Sequence, residues 1–442
     1  MSPDLLQRYD QRVPRYTSYP TAPNFGPGVD SRTYKSWLAA LPDGTALSLY
    51  LHVPFCVRLC LFCGCHTRAA RREAPLLDYG ALLETEIDRV ADAIGRRLPV
   101  RHVHWGGGTP TSLPPAAMLR VAGRLAVRFD LRPDAEIAVE IDPRAFAPEH
   151  AAALREIGIT RASVGVQDFH PAVQQAIGRI QPFEMTARAI LSLRESGAGS
   201  INLDMLYGLP RQTVASVERT AEQAAALRPD RIAVFGYAHV PWIKRHQAAI
   251  DADALPGTAA RLAQRAAADA VLREAGLAPV GLDHYARPGD ALAQAAAAGR
   301  LRRNFQGYTT DDADALIGFG ASAIGRLPQG YVQNIAHIGA WQQAVRAGRL
   351  PVARGIALTD EDRRRGAVIE ALMCSLKADL AAAPDLLEEA AAPLAQMERD
   401  GIVSRAGTTL AVTAEGRPLV RNVAALFDAY LRPGEQRHAK AI

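Results

Sequence analysis

Short apolar runs alternate with longer amphipathic stretches between about residues 47 and 290. The runs are nearly continuous, which is typical of strands buried on both faces of a parallel sheet. The stretches between them place apolar residues three and four positions apart, the spacing of one helix face. The pattern predicts strands at 46–55, 101–107, 136–142, 161–167, 201–208, 231–237 and 278–283. It predicts helices at 76–97, 114–128, 147–157, 182–196, 214–227 and 257–275.

This βα repeat of roughly six units predicts a parallel α/β architecture. Both an open doubly wound sheet and a barrel are compatible with the repeat. Polar and glycine residues follow the strands, in HVPFC, WGGGTP, EIDP, GVQD, YGLP and YAHVP. In a barrel the carboxyl ends of the strands meet at one mouth, where active sites lie. Six units do not close the usual eight-stranded barrel. We therefore expect an incomplete (β/α)6-type TIM-like barrel with a wide opening.

Two further regions flank the predicted catalytic domain at 46–350. Residues 1–45 form an N-terminal arm, whose irregular part at 15–28 is rich in proline, glycine and aromatic residues and is expected to pack on the core. Residues 351–442 predict a small, mainly helical C-terminal domain with a helix at 363–380 and a helix–hairpin–helix over 386–431. This arrangement resembles a winged helix. Such a unit more often packs beside a catalytic domain than binds DNA, so no nucleic-acid partner is expected.

Composition narrows the protein class without identifying a function. The 442 residues are 48% hydrophobic and 22% charged, as in globular proteins, which excludes the disordered and fibrous classes. The net charge of +5 weakly indicates anionic partners, although an arginine-rich surface explains it equally well. The chain starts with charged residues and has no apolar run of about 18 residues. We expect a cytoplasmic monomer without a membrane span.

The cysteines are unevenly distributed. Four of the five, Cys56, Cys60, Cys63 and Cys65, fall within ten residues, and Cys374 is distant. A disulfide framework would instead spread its cysteines to join distant segments. The group therefore predicts a metal or redox site in a reducing compartment, whereas Cys374 is expected to be a buried core thiol.

Cys56, Cys60 and Cys63 have the spacing C-x3-C-x2-C directly after a predicted strand. Three thiolates on one loop can bind three irons of a 4Fe–4S cluster, which leaves one iron open to a chelating small molecule. Cys65 is an awkward fourth ligand because only one residue separates it from Cys63. A zinc site with His66 is the alternative, but zinc sites favour two separated pairs of ligands.

The sequence Cys56-VRL-Cys60-LF-Cys63 resembles the C-x3-C-x-aromatic-C signature of radical S-adenosylmethionine (SAM) enzymes. Further motifs resemble the oxygen-independent coproporphyrinogen III oxidases (dehydrogenases) over essentially the whole chain. They are RYTSYPTAPNF, FCGC, HWGGGTPT, EIDPR, GVQDF, NLDMLYGLP, YAHVP, DHYARP, RNFQGYTT and RGIALT. The resemblance implies a 4Fe–4S cluster whose open iron binds SAM and whose electron cleaves SAM to a 5′-deoxyadenosyl radical.

The resemblance implies oxidative decarboxylation of two propionates of coproporphyrinogen III to vinyl groups, giving protoporphyrinogen IX in haem biosynthesis. It also implies an electron donor and an acceptor, both unidentified, and two SAM molecules in one barrel. The residues that it assigns to the first SAM are Tyr50, Gly107, Glu140 and Ile324. Those that it assigns to the second are Gly108, Thr109, Gln167, Arg179, Asp204 and Ala238.

Some of these assignments agree with the chemistry of the side chains. Glu140 ends an apolar strand, where a carboxylate is costly unless it is paired or bound to a ligand such as a ribose diol. A salt bridge to an arginine is the alternative. The planar fork of Arg179 suits a carboxylate. Glycines allow backbone amides to approach a ligand, although turns also use glycine routinely. The assignments of Ile324 and Ala238 rest on the resemblance alone.

The substrate is less well marked in the sequence. Coproporphyrinogen carries four propionates, so its site requires basic residues, although exposed arginines are usually only solvated. Cys65 is expected near the cluster or the substrate. The remaining candidates are Arg15, Arg302, Arg303, Gln306 and Tyr308.

Three other functions are compatible with parts of the pattern. A haem chaperone of the same superfamily resembles the barrel and the cluster loop but generally lacks the RYTSYP arm and the counterpart of Cys65, both of which are present here. A haem-modifying radical SAM protein is a second alternative. An iron–sulfur regulator that binds DNA through the C-terminal domain is a third, and salt-dependent DNA binding would be its sign.

Overall fold

A twelve-stranded mixed sheet forms the centre of the protein in the computed structural model, which describes residue 5 and residues 8–431. The strands of the chain are β1 (Leu47–Val53), β2 (Phe55–Cys56), β3 (Arg68–Ala69), β4 (Pro99–Gly107), β5 (Asp130–Ile141), β6 (Arg161–Gln167), β7 (Ser200–Tyr207), β8 (Arg231–Gly236), β9 (Ala278–Val280), β10 (His284–Ala286), β11 (Arg302–Asn304), β12 (Gly307–Thr309), β13 (Ala315–Phe319), β14 (Ile324–Leu327), β15 (Gly330–Asn334), β16 (Val352–Ala357), β17 (Lys377–Asp379), β18 (Val403–Ala406) and β19 (Thr409–Val412).

The helices pack on this sheet or form the C-terminal region. They are α1 (Ser31–Ala39), α2 (Glu73–Ile94), α3 (Pro115–Arg128), α4 (Pro148–Ile157), α5 (Pro171–Ala176), α6 (Phe183–Glu195), α7 (Val214–Ala226), α8 (Thr258–Glu274), α9 (Ala291–Ala297), α10 (Ile338–Arg346), α11 (Asp360–Ser375), α12 (Pro384–Glu389), α13 (Ala391–Arg399) and α14 (Val420–Ala425). None of the helices in the described residues combines the length and the apolar character that crossing a membrane requires.

Six parallel strands, β1 and β4 to β8, lie side by side in chain order. A helical connection joins each strand to the next, as parallel neighbours require. The buried side chains of these strands and of helices α2 to α4, α6 and α7 form one large apolar cluster. The prediction of these strands and helices is therefore confirmed, and their ends agree within three residues except that β5 begins six residues early.

The sheet extends beyond the six predicted strands on both sides. On one side β13 pairs parallel with β1, and β14, β15 and β16 continue as antiparallel strands. On the other side the predicted strand at 278–283 is wrong as one element, because β9 and β10 are two short antiparallel strands with a turn between them. These additions escaped prediction because strands of three to six residues show too little periodicity to be recognised.

The irregular part of the N-terminal arm at 15–28 packs against the body of the protein, as predicted. Gly26 pairs with Gly355 of β16 through two backbone hydrogen bonds of 2.9 Å. Tyr16 and Tyr19 are buried in an apolar cluster shared with the C-terminal helices. Helix α1 within this arm was not predicted, and the Asp30 side chain begins it by accepting backbone N–H groups of the first turn.

The C-terminal region contains helix α11, then β17, α12 and α13, a β18–β19 hairpin and α14. The predicted helix at 363–380 is wrong in its last five residues, since α11 ends at Ser375 and Leu376 adopts a left-handed φ of 55°. The chain then turns into β17, which pairs with β19. The helix–hairpin–helix pattern predicted over 386–431 is confirmed, and residues 432–442 of the predicted domain lie outside the described residues.

Candidate cofactor site

The carboxyl ends of β1 and β4 to β7 surround a cavity of about 160 Å³, here called the cofactor cavity. It brings together residues that are far apart in sequence, because the carboxyl ends of neighbouring parallel strands lie at the same edge of the sheet. Its lining includes Cys56, Cys60, Cys63, Cys65, Gly107, Gly108, Thr109, Glu140, Asp142, Arg144, Gln167, Arg179 and Asp204. Most of the residues assigned to the cluster and to SAM therefore face one space.

The three cysteines of the motif lie around this cavity. Cys60 is buried, whereas Cys56 and Cys63 are partly exposed. The Thr109 hydroxyl donates to Cys56 Sγ at 3.4 Å, and Arg144 Nη2 donates to Cys60 Sγ at 3.1 Å. Such donors stabilise the thiolate form that binds iron.

The cysteine geometry suits a cluster better than a single ion. Within the described residues, no group of three histidine, cysteine, aspartate or glutamate side chains is close enough to hold one metal ion. The three cysteines line a cavity instead, which matches a 4Fe–4S cluster with a separate iron for each thiolate. Cys65 forms a side-chain hydrogen bond with Cys63 and lines the same cavity. The zinc alternative finds no support in this arrangement.

Side chains of a segment after β8 donate hydrogen bonds to backbone carbonyls of the cysteine loop. His246 Nε2 donates to the carbonyl oxygen of Cys63 at 2.7 Å, and Lys244 Nζ donates to that of Cys65 at 2.9 Å. Gln247 Nε2 donates to the Phe62 carbonyl at 2.9 Å. The sequence analysis missed these residues, because a polar residue about 180 positions from the motif carries no local signal of this contact.

Asp142 joins two arginines beside Cys60. Its carboxylate pairs with Arg144 at 2.6 Å and with Arg179 at 3.3 Å. Burial would raise the pKa of Asp142, but the hydrogen bonds and charges of both arginines outweigh burial and hold this pKa below its usual value. Arg179 also donates to the Gly165 carbonyl at 2.8 Å and approaches Cys60 Sγ at 3.5 Å. The motif EIDPR contained Asp142 and Arg144, but neither was singled out.

Glu140 is held by a histidine and a backbone amide. It accepts from His104 Nε2 at 3.2 Å and from the Gly107 N–H at 3.1 Å. Burial would raise the pKa of Glu140, but these hydrogen bonds lower it overall. Glu140 is thus a carboxylate with defined partners, and the alternative of an arginine salt bridge is not what the described residues form.

Half-buried Tyr50 and buried His52 form a hydrogen-bonded pair at the end of β1. His52 Nε2 donates to the His66 carbonyl at 3.0 Å, so Nδ1 is left to accept from the Tyr50 hydroxyl at 3.0 Å. Burial lowers the pKa of His52 to about 4, which keeps the ring neutral near pH 7. The pair ties β1 to the end of the cysteine loop.

Asp204 lies on β7 among polar side chains. Ser163 Oγ and Asn202 Nδ2 each donate to its carboxylate at 2.9 Å. Burial is the main reason why the pKa of Asp204 lies above its usual value, and the charge of Glu140 contributes to the increase. Two carboxyl groups of the cavity therefore differ in their tendency to carry a proton.

The three glycines at the carboxyl end of β4 serve the packing of the protein itself. A Cβ atom on Gly106 would lie 2.8 Å from Glu140 Oε1, and one on Gly108 would lie 2.6 Å from the Phe55 carbonyl oxygen. The Gly107 and Gly108 amides already donate within the protein, the latter to Val53 at 2.8 Å. Both glycines line the cavity, and their assignment to SAM stays a prediction.

Comparisons with known proteins agree with this geometry. The model of the radical SAM superfamily matches residues 50–224. The oxygen-independent coproporphyrinogen III oxidase of Bradyrhizobium diazoefficiens is 50% identical over 450 residues, which cover 100% of both chains. That of Paracoccus denitrificans is 45% identical, with 97% of this chain and 96% of the relative covered.

A solved structure extends the similarity to the whole fold. Coproporphyrinogen III oxidase from Escherichia coli, described as a radical SAM enzyme, matches with a TM-score of 0.89 and 38% identity, covering 95% of this chain and 100% of that chain. This chain belongs to the oxygen-independent coproporphyrinogen III oxidases. The resemblance inferred from the motifs is confirmed. Membership of the radical SAM superfamily implies a 4Fe–4S cluster and SAM.

Three residues assigned to SAM, Tyr50, Ile324 and Ala238, lie outside the lining of the cofactor cavity. Ile324 begins β14, and a Cβ on Gly318 of β13 would lie 2.9 Å from its carbonyl oxygen. Gly318 is in turn the register partner of Tyr50, so Ile324 is two strands away from Tyr50. Ala238 lines a separate cavity beyond β8.

The substrate candidates are divided among different places. Arg15 and Arg303 line the same separate cavity as Ala238. The exposed Arg302 side chain instead lies 3.7 Å from Glu370 and lines another surface cavity. The backbone N–H of Gln306 donates to Asn304 in the turn between β11 and β12, whereas the Tyr308 hydroxyl is buried against the Met373 carbonyl. Arg303 also lines the surface cavity that Arg302 lines, but of the two arginines only Arg303 lines the separate cavity with Ala238.

Proposed function

We propose that this chain decarboxylates two propionates of coproporphyrinogen III oxidatively to vinyl groups and so produces protoporphyrinogen IX in haem biosynthesis. One observation carries the proposal. Cys56, Cys60 and Cys63 line the same cavity as Glu140, Arg179, Asp204 and four other proposed SAM residues, in a chain that matches its relatives over its whole length.

The proposed architecture places this chemistry in an incomplete (β/α)6-type TIM-like barrel. The six parallel strands β1 and β4 to β8 and their helices support it. We divide the chain into an N-terminal arm at 1–45, a catalytic domain at 46–350 and a C-terminal winged-helix-like domain at 351–442. Helix α11, the three-stranded sheet and α14 support the last assignment.

Cys56, Cys60 and Cys63 are the proposed cluster ligands, and Cys65 lies beside them without binding iron. When bound, the cluster and SAM supply the radical that removes a hydrogen atom from the substrate. Arg144 donates to Cys60 Sγ and so fixes the position of this proposed ligand. The carbonyl contacts of Lys244, His246 and Gln247 hold the loop in one conformation.

Two SAM molecules are proposed to share the site. The residues proposed for the first are Tyr50, Gly107, Glu140 and Ile324. The residues proposed for the second are Gly108, Thr109, Gln167, Arg179, Asp204 and Ala238. The ionised Glu140 suits a diol, whereas Arg179 suits the carboxylate of an amino acid once it exchanges part of its contact with Asp142.

In the proposed reaction each of two propionates loses a hydrogen atom from the carbon next to the pyrrole ring. Loss of CO2 and of one electron to an acceptor then leaves a vinyl group. The donor that reduces the cluster and the acceptor of this electron are separate partners. We further propose a monomer in the cytoplasm, where the free thiols remain reduced, without a nucleic-acid partner.

An anaerobic product assay tests the proposal. The reconstituted protein is incubated with SAM, dithionite and coproporphyrinogen III, and oxidised products are separated by chromatography. We expect protoporphyrin and 5′-deoxyadenosine from the wild type and from Cys374→Ser, because Cys374 is a buried thiol of another apolar cluster. Cys60→Ser is expected to form neither. Absence of protoporphyrin from the wild type refutes the proposal, and stoichiometric haem binding or consumption of haem would favour the chaperone or the haem-modifying alternative.

A further inference from the structure

A second cavity of about 400 Å³ lies beyond β8 and is here called the basic cavity. Six arginines and one carboxylate line it, so positive charge is in large excess. These residues are Arg12, Arg15, Arg261, Arg265, Arg303, Arg421 and Asp283.

The cavity is assembled from distant parts of the chain. Arg15 belongs to the N-terminal arm, Arg261 to α8, Arg303 to β11 and Arg421 to α14. Direct contacts join these parts, since Arg303 Nη2 donates to the Arg15 carbonyl at 3.3 Å and Arg15 Nη2 donates to the Gly236 carbonyl at 3.0 Å. The N-terminal arm and the C-terminal region therefore close the cavity against the sheet.

Several cationic groups in this wall are buried. Arg421 is only 7% exposed, and burial together with the charges of Arg15 and Arg303 lowers its pKa to about 10. Buried Nε and Nη1 of Arg303 and buried Nε of Arg261 have no hydrogen-bond partner among the described residues. Buried N–H groups and charges of this kind are costly unless a ligand or counter-charge satisfies them.

Within the described residues, the lining of the cavity contributes one carboxylate to balance these arginines. The carboxylate of Asp283 accepts from His284 Nδ1 at 2.8 Å. Burial would raise the pKa of Asp283, but the hydrogen bond and charge of His284 and the charges of Arg303 and Arg15 lower it overall. Asp283 is therefore an ionised carboxylate that is already hydrogen-bonded to His284. Asp10 adds a second carboxylate that faces Arg261 from the arm. The excess of arginines indicates an anionic ligand with more than one carboxylate.

The basic cavity lies beside the cofactor cavity. Ala238 and Trp242 line the basic cavity, while Lys244 and His246, a few residues later, donate to the carbonyls of Cys65 and Cys63. One short segment thus lines the basic cavity and holds the cysteine loop, which lines the cofactor cavity. Trp242 is 54% exposed and Tyr207 lines the wall, so apolar ring surface accompanies the charges.

We propose that the basic cavity binds the two propionates of the porphyrinogen that are not decarboxylated. This inference rests on the proposed function. The reacting carboxylates leave as CO2, so fixed cations can hold the macrocycle throughout two reactions only through the carboxylates that remain. Arginine pairs carboxylates through two parallel hydrogen bonds, and Arg303 and Arg261 both line the cavity.

The proposal distinguishes neighbouring arginines of β11. Arg303 faces the basic cavity, whereas Arg302 is exposed and lies near Glu370. We therefore compare Arg303→Gln with Arg302→Gln as a matched control, and add Arg421→Lys, which retains the buried charge. Binding of the redox-stable coproporphyrin III and protoporphyrin IX is measured by porphyrin fluorescence on anaerobically reconstituted protein.

Arg303→Gln is expected to weaken the binding of both porphyrins by about tenfold or more, because both retain the two propionates that a charged hydrogen-bond partner would hold. Arg302→Gln is expected to change neither by more than about twofold. Arg421→Lys should weaken the binding of both porphyrins less than Arg303→Gln does, because lysine retains the positive charge. Circular dichroism and substrate-free formation of 5′-deoxyadenosine check that the fold and the cofactor cavity are intact.

Two outcomes overturn the inference. If Arg303→Gln folds and binds both porphyrins as the wild type does, the basic cavity does not hold propionates. If only coproporphyrin III binding weakens, the cavity holds the reacting propionates instead. Either result is independent of the proposed function, which fails only if the wild type produces no protoporphyrinogen in the anaerobic assay.

Discussion

Replacement of Gly108 by alanine tests how tightly the cysteine loop is built onto the sheet. The new Cβ would lie 2.6 Å from the carbonyl oxygen of Phe55, and closer still to Thr67 Oγ1. A comfortable carbon–oxygen contact is about 3.3 Å, so Phe55 and Gly108 must separate by roughly 0.7 Å. Phe55 immediately precedes Cys56, and the backbone carbonyl cannot move without moving this proposed ligand.

The expected energetic cost is moderate, but its location matters. Overpacking of this kind costs about 1–3 kcal/mol. Because the unfolding entropy scales with chain length, such a cost lowers the Tm of a protein this long by only about 1–3 °C. Binding of iron depends on the position of Cys56 itself. We therefore expect Gly108→Ala to retain its fold and to lose more than about half of its iron and sulfide after anaerobic reconstitution.

Gly123→Ala is the matched control. Gly123 lies within helix α3, and a Cβ there meets nothing within 4 Å. Alanine should stabilise this helix by up to about 1 kcal/mol and leave iron content unchanged. Iron and sulfide per chain and thermal unfolding by circular dichroism are measured for both variants. Full iron content in Gly108→Ala would refute the reasoning that close packing at this glycine positions the loop.

Three further outcomes follow from the same structure. Cys65→Ser should retain the iron content and cluster EPR signal that Cys63→Ser loses; loss of the cluster in Cys65→Ser would show that Cys65 is a ligand. The pKa of His52 falls from 6.5 to about 4 on folding, so its contribution to stability is full above pH 6.5 and is lost as the pH falls. Between pH 7 and pH 5 the wild type should lose about 2 kcal/mol more stability than His52→Gln, measured by urea unfolding, and equal pH dependence would contradict this. Asp290→Ala breaks the buried ion pair with Arg231, which is 2.7 Å long, and should lower the free energy of unfolding by about 3–5 kcal/mol. Asp30→Ala removes an exposed helix cap and should lower it by about 1 kcal/mol. Similar urea midpoints for the two variants would contradict this prediction.

Local patterns determined much of the fold and the type of chemistry. The apolar runs identified the six parallel strands, because a strand buried on both faces must be apolar at nearly every position. The spacing of Cys56, Cys60 and Cys63 indicated a cluster, since all three lie on one loop and their relation depends on only eight residues of chain. The short antiparallel strands on both sides of this set lack such a signal.

The surroundings of the cluster loop depended on the tertiary structure. Asp142 and Arg144 were visible in a motif, but their contact with Arg179 and Cys60 exists only because β5 and β6 end at the same edge of the sheet. The sequence indicated that burial of the Glu140 carboxylate costs free energy unless the carboxylate has a partner. Its partner His104, however, comes from another strand, and no periodicity predicts which neighbour satisfies a buried charge.

The basic cavity shows the same limit most clearly. Arg302 and Arg303 are adjacent and chemically identical, yet the pleat of a short strand directs one toward Glu370 and the other toward the cavity. Arg303 meets Arg15 and Arg421 only because the two ends of the chain pack together on the sheet. The sequence by itself determined the strands and the cysteine motif through neighbouring residues, whereas the tertiary structure decided which distant charges share one space.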